Sequence, residues 1–550
     1  MDRQRVYRVV PKAGESSVEV GFNNEPANKQ TLKPRQRRWT PKVKTGCITC
    51  RIRRVKCDEG RPECKKCIST GRKCDGFEIA PEPAITEPPL PTQCLHALTP
   101  LYGKASPFEK EMFSLFRTKT VTQVAGAFYQ PFWHVDVLLA AQTQPAIWHA
   151  SLSMAAMYSW FKIPPDDLQG QLIRQNHYKF ALKQYNEAIT HLVELAQNKD
   201  IQSAEVLLMA SVLFTGLSSL RGDPKEAMMH ASHGLRVAEQ WKFLERTEAP
   251  EDNNTTHILP TKSLVGLVDG FEVQYMWTGA RQPILRRPNI PREVPVAPFA
   301  SATEACFELQ RLVGGLLIAV RNEKVRRTTD QPLPVPDLRQ PYRHALSAWK
   351  VKFSHLKWSQ RLRQTDLDCA LVLDIWLCGA EIAASLDLSL FELAWDKFAP
   401  KFKRIVKLTQ KLVAEEALLE EQRGRPVYSF SPSVCEPLFM VGSSCRDSVV
   451  RRKAISLLRQ RPRREGIWDA KLMAAIAEAK MLIEERGIAS VDVTQPGSGC
   501  GCIPGVYICN THRVFFMDIE FLPERAATAV MKTLHDVAIH SPGQVVTVTY

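Results

Sequence analysis

Six cysteines fall between Cys47 and Cys74, in the stretch CITCRIRRVKCDEGRPECKKCISTGRKC, separated by two, six, six, two and six residues. The stretch is one pattern used twice: Cys47, Cys50 and Cys57, then Cys64, Cys67 and Cys74. A close Cys-x-x-Cys pair can clamp a metal ion from a single turn, and the third cysteine returns about two turns later. Zinc takes four ligands in a tetrahedron, so each half is one thiolate short. Two ions need eight ligand positions; six sulfurs supply them only if two bridge. Pseudo-symmetry makes the bridges equivalent residues, and Cys47 and Cys64, the first of each half, are the choice. A disulfide framework needs an oxidising compartment, and the N-terminus, MDRQRVYRVVPKAG, has no apolar run that would read as a secretory signal. A redox Cys-x-x-Cys accounts for one pair, not for two matched halves.

Basic side chains are interleaved with these ligands. Residues 29–74 hold 16 Lys and Arg against 3 Asp and Glu, so this segment carries nearly all of the chain's net charge of +15. Such a patch on a metal-folded module is the footprint of a polyanion binder. It lacks the apolar face of a membrane-surface helix. Helical geometry over 49–55 would aim Arg53 and Arg54 outward near the helix end, with Arg51 and Lys56 beside them. Arg donates two hydrogen bonds to O6 and N7 of a guanine in the major groove. Lys56, Lys65, Lys66, Arg72 and Lys73 are assigned to phosphates, which position without specifying sequence. The first half is denser in charge and is expected to carry the base readout.

The six cysteines, the run CRIRRVKC, Pro62 in the loop and the GRKC ending resemble the fungal binuclear zinc cluster transcription factors of the zinc-two, cysteine-six type. The resemblance implies two zinc ions bridged by Cys47 and Cys64. It implies double-stranded DNA as partner and a CGG-type triplet read by a basic residue at the Arg54 position, which is usually Lys in that family. It also implies a nuclear transcription regulator. The competing expectation is a zinc-stabilised module that docks a protein or RNA.

The elements that must position this module are less patterned. Residues 1–44 are expected to be a disordered basic arm. Within it KPRQRRWTPKVK, from Lys33, reads as a phosphate-contacting and nuclear-import segment. The cluster domain is placed at 45–76 and a linker at 77–105, with Pro81, Pro83, Pro88, Pro89, Pro91 and Pro100. These prolines forbid a coiled coil there, so a monomer and dimerisation through the large domain both remain open.

Residues 106–540 read as mostly α. Ser106-Pro107-Phe108-Glu109 and Asp223-Pro224-Lys225-Glu226 are helix starts. Helices are expected over 172–196, with Leu182, Tyr185, Ile189 and Leu192 on one face, and over 262–280, 302–323, 340–364, 369–388, 398–422 and 466–486. The segment near 506–521 is either a hairpin or irregular. SLFRTKT, PFWHVDVLL, PAIWHASLSMAAM and FALKQYNEAI resemble, in order, the fungal-specific helical regulatory domain, which implies a signal-receiving role or contact with the transcription machinery.

Enzyme chemistry finds no support. LVGGLL at 312–317 sits in a helical pattern rather than a phosphate loop, there is no Gly-x-Ser-x-Gly elbow, and an all-thiolate zinc site leaves no position for water. His149, His177, His230 and His233 read as core or surface histidines. RRKAISLLRQRPRR from Arg451 reads first as a solvated helix face, with a second import signal or a DNA-adjacent surface as the alternatives. Cys500, Cys502, Cys509 and His512 form a second group of ligand types, open between a third zinc site, a redox-sensitive thiol pair and no role at all. No stretch reads as membrane-spanning; the strongest candidate, from Ala370, carries Asp374 and Glu381 and reads as a buried helix.

Overall fold

In the computed structural model the chain forms two compact units, Met1–Pro89 and Leu90–Tyr550. The structure describes residues 47–74 and 103–550, except 61–62, 165–166, 244–269, 271, 274–296, 329–336, 359–366, 419–425, 490–501 and 504–506. The basic arm, most of the linker, all but three residues of the expected 262–280 helix and Cys500 therefore lie outside the described residues.

In the first unit, helix α1 (Ile48–Ile52) and helix α2 (Lys65–Ile68) are the only described elements, and they are built around the cysteines. The second unit is mostly helical, as its sequence implies. Ser106 opens it with a full capping box: its hydroxyl accepts from the Glu109 N–H, and the Glu109 carboxylate accepts from the Ser106 N–H. Asp223 caps the Pro224–Gln240 helix through the Glu226 N–H. Both sequence signals sit where a helix leaves unsatisfied N–H groups.

Two hydrophobic cores organise this unit. The first collects residues between Met112 and Phe243 together with Tyr428 and Phe430, and the second residues from Phe299 to Met531 together with Phe128 and Val273. In the first, the expected face of the Gln171–Leu195 helix is shifted. Its buried positions are Ala181, Gln184, Ala188 and Leu192, with Tyr185 and Ile189 half-buried. Small residues at the centre let this helix lie close against the Pro145–Lys162 helix. The Ile201–Arg221 helix is long and apolar enough to cross a membrane, but nearly all of it is buried within this core.

LVGGLL lies within the Ala302–Thr328 helix, as expected, and serves packing. A Cβ on Gly315 would stand 2.6 Å from the Tyr342 hydroxyl, so only glycine admits the Gln340–Trp358 helix at this distance. The two cores are tied by β1 (Val427–Ser429) and the residues after it. The Phe430 N–H donates to the Val124 carbonyl at 2.7 Å, and Arg464 donates to the carbonyls of Ser219 and Leu220.

The mostly α class holds, and the structure adds two small sheets. In the first, β1 pairs in parallel with β2 (Arg463–Glu465), which pairs antiparallel with β3 (Trp468–Asp469). The second is an antiparallel meander of β4 (Val514–Leu522), β5 (Ala526–Thr533) and β6 (Gln544–Thr549). Of the segment left between hairpin and irregular, the part from Val514 is thus the first strand of a sheet reaching Thr549, and a single helical turn, Asn510–His512, precedes it. Along β5, Ala527, Ala529, Met531 and Thr533 face inward, a period-2 pattern muted because half of it is alanine.

Candidate zinc cluster and nucleic-acid interface

Each half of the cysteine stretch folds the same way. In the first, the Val55 N–H reaches back to the Cys50 carbonyl at 3.1 Å; in the second, the Arg72 N–H reaches the Cys67 carbonyl at 3.1 Å. This six-to-one closure ends a helix when the residue before the donor takes the left-handed conformation. Gly71 does so with φ of 64°, the glycine that such a turn favours. At the equivalent place in the first half stands Arg54, with φ of 56°. The helix expected over 49–55 therefore stops at Ile52, and the chain turns at Arg54 to bring Cys57 back.

These turns gather the thiols. The Cys47 and Cys64 sulfurs are 3.6 Å apart, Cys47 and Cys67 3.8 Å, and Cys50 and Cys64 3.7 Å. A tetrahedron with bonds of about 2.3 Å has edges of about 3.8 Å, so the spacing fits zinc. Two groups of four close up, Cys47 with Cys50, Cys57 and Cys64, and Cys47 with Cys64, Cys67 and Cys74. Cys47 and Cys64 are common to both.

Burial pushes the Cys47 thiol up to about 12 and raises Cys50 and Cys64 as well. Without a cation these sulfurs would stay protonated; a bound cation reverses that logic and holds thiolates. Backbone donors are already aimed at the sulfurs. The N–H of Cys50 points at Cys47 Sγ, and those of Cys47 and Glu59 at Cys57 Sγ, each at 3.4 Å.

Three polar residues without a site assignment in the sequence reading lock the halves together. The Asp58 carboxylate accepts from the N–H groups of Lys65 and Lys66, both at 3.0 Å, and so caps α2. Those bonds, the Lys66 N–H first, hold its carboxyl below the usual range. The Thr49 hydroxyl donates to the Lys73 carbonyl at 3.3 Å, and Thr70 accepts from Arg53 Nη1 at 3.1 Å. Cys64 holds the N-cap position and Asp58 lies well upstream of it, so no local capping signal marked Asp58 in the sequence.

Among the predicted contact residues, Arg54, Lys56, Lys65, Lys66, Arg72 and Lys73 are exposed on this unit. Arg53 is half-buried and bound to Thr70, so it braces the two halves. The side chain of Arg51 lies outside the described residues.

Of the four histidines singled out in the sequence, His230 is buried, His149 and His177 are half-buried and His233 is exposed. His230 meets the Tyr185 hydroxyl at 2.9 Å, and burial lowers its imidazole to about 4; His149 meets Gln184 at 2.6 Å. The basic run from Arg451 is divided: Arg452, Lys453 and Arg459 lie on an exposed helix face, as expected, whereas other arginines of the run are buried. Arg451, Arg463 and Arg464 are buried, Arg451 on Glu484 and Arg464 on Asp469, while Arg452 and Arg459 pair with Glu485 and Glu478.

Residues 45–83 match the family model of the fungal Zn(2)-Cys(6) binuclear cluster domain. The chain carries that zinc cluster domain and is a DNA-binding transcription regulator. Its cluster binds two zinc ions, and its relatives are regulators rather than enzymes. The regulator is 24% identical over 551 residues to the aspercryptin biosynthesis cluster-specific transcription regulator of Emericella nidulans, covering 79% of this chain and 86% of that one. It is 24% identical to transcription regulator lscL of Purpureocillium lilacinum and 28% identical to the Zn(2)-C6 fungal-type transcription factor afumD of Aspergillus fumigatus. Those matches cover 41% and 39% of this chain and just over half of each relative, 55% and 57%. No solved structure matches the chain.

Proposed function

We propose that this regulator reads a CGG-type triplet in the major groove, in the nucleus, and controls a metabolic gene set, specifically one for secondary-metabolite biosynthesis. The six cysteines from Cys47 to Cys74 hold the two zinc ions, with Cys47 and Cys64 bridging. The overlap of the two thiol groups on that pair supports this assignment. The observation that carries the DNA reading is Arg54. A long cationic side chain occupies a left-handed position that glycine fills in the other half, and it is exposed at the end of α1. A conformation costly for arginine, kept beside a metal-fixed helix, fits a functional side chain aimed at a partner. Arg53 supports the reading by holding the two halves in register, and Lys56, Lys65, Lys66, Arg72 and Lys73 meet phosphates. The large helical unit receives a signal or contacts the transcription machinery. The gene-set assignment rests on the role that the Emericella nidulans relative is named for.

The test compares Arg54→Ala with Lys73→Ala on a CGG duplex and a scrambled duplex at fixed salt. Arg54→Ala should erode the preference for CGG by about 1–3 kcal/mol, the value of one bidentate guanine contact. Lys73→Ala should weaken both duplexes alike and lower the salt slope by about 1. Equal effects of the two substitutions on selectivity would reject the division of roles.

A further inference from the structure

Far from the cluster in sequence, the chain entering the C-terminal sheet carries three soft donors. Cys502, Cys509 and His512 place their ligand atoms within 4.8 Å of one another. His512 Nδ1 lies 3.3 Å from Cys502 Sγ and 3.4 Å from Cys509 Sγ. A tetrahedral zinc with sulfur at about 2.3 Å and imidazole nitrogen at about 2.0–2.1 Å would set these edges at about 3.6 Å. All three side chains are half-buried, and neither cysteine is in a disulfide.

The local backbone builds this arrangement. Ile503 and Tyr507 form an antiparallel bridge, with N–H···O bonds of 2.8 and 2.9 Å, which folds the chain so that Cys502 and Cys509 meet. The Cys509 N–H then donates to Cys502 Sγ at 3.1 Å, the kind of amide-to-sulfur contact that the thiolate cluster uses at Cys50 and Cys47. The single turn Asn510–His512 swings the imidazole onto both sulfurs. Directly after it, Arg513 is fully buried; it donates to the Ile508 carbonyl at 2.8 Å and to both Asp396 oxygens at 2.7 Å. The three donors thus stand on a loop fixed to the helical body.

We propose that Cys502, Cys509 and His512 bind a third zinc ion, through two thiolates and one imidazole Nδ1, independently of the N-terminal cluster. Two thiolates with one imidazole is a donor set suited to zinc. The three side chains leave the fourth tetrahedral position to water or to a further ligand. An ion here fastens the loop at the start of β4, where the sheet joins the helices.

The test is the zinc content of the full-length chain by elemental mass spectrometry, for the wild type, His512→Ala and His512→Cys. Three ions per chain are expected in the wild type, two in His512→Ala, and three again in His512→Cys, where a thiolate replaces the imidazole. His512→Ala should keep its DNA affinity within about twofold, which shows that the cluster persists. A wild-type count of two would overturn the proposal, as would three ions retained in His512→Ala. The difference of one ion between wild type and variant reports this site alone, whatever the cluster holds.

Discussion

Arg54 and Gly71 occupy the same place in the two halves of the cluster, and the contrast between them is a residue-scale experiment already written into the chain. Both close a short helix by turning left-handed, but only glycine does so without a steric penalty, which is about 1–2 kcal/mol for other residues. Arg54→Gly should therefore leave the zinc-loaded cluster at least as stable, with a gain of about 1 kcal/mol, while stripping CGG selectivity as Arg54→Ala does. Thermal unfolding of the zinc-loaded protein, read beside duplex selectivity, checks both halves of this expectation. A variant that lost stability would show that the arginine side chain, rather than the turn, holds the backbone there. The ligand set and the charge were plain in the sequence because cysteine spacing is a direct imprint of coordination geometry. The left-handed turn was not, because no rule of composition marks an arginine for such a position. Nor was the bond from Arg53 to Thr70, which depends on the two halves folding together.

At the scale of elements, helices whose starts carry capping residues were legible, and those defined by tertiary packing were less so. The buried face of the Gln171–Leu195 helix is alanine-centred, and the C-terminal strands alternate too weakly to stand out. The run from Arg451 was legible only in part, its exposed face but not its buried arginines, because charge does not say whether a side chain meets water or a buried carboxylate. Glu484, on the Ala470–Ala489 helix, is fully buried and accepts from Arg446 at 3.0 Å, Arg451 at 2.6 Å and the Val514 N–H at 2.9 Å. It thereby links that helix to its neighbours and to the first strand of the sheet.

Burial alone would raise the Glu484 carboxyl, but Arg446, Arg451 and Lys480 outweigh it and hold it at about 2. A carboxyl lowered in this way stabilises the fold above its unfolded value of 4.5 and loses that contribution as pH falls from there toward about 2. Stability of the large unit should fall through that window. Glu484→Gln should flatten the fall and cost about 3–5 kcal/mol at neutral pH, because Arg451 is left buried without its carboxylate. Urea denaturation across the pH range measures both; an unchanged acid profile in the variant would remove Glu484 from this role.

For the whole molecule, metal and hydrophobic burial hold different parts. The N-terminal unit has a core made of cysteine side chains and nothing else among its described residues. A unit of that kind folds on its metal, since ligand binding supplies the free energy that a small apolar core cannot. The large unit has two extended apolar cores and is held by them. Chelation of zinc should therefore abolish DNA binding while leaving the far-ultraviolet circular dichroism of the full chain nearly unchanged. The charge divides the same way, because residues outside 29–74 are close to neutral in sum. The salt dependence of DNA binding should accordingly belong to the first unit alone, with a slope near −0.9 for each phosphate met by its lysines and arginines. Reversing exposed charges on the large unit, for example Lys407→Glu, should leave that slope where it was. A shift in slope on such a reversal would show that the helical unit also touches the duplex.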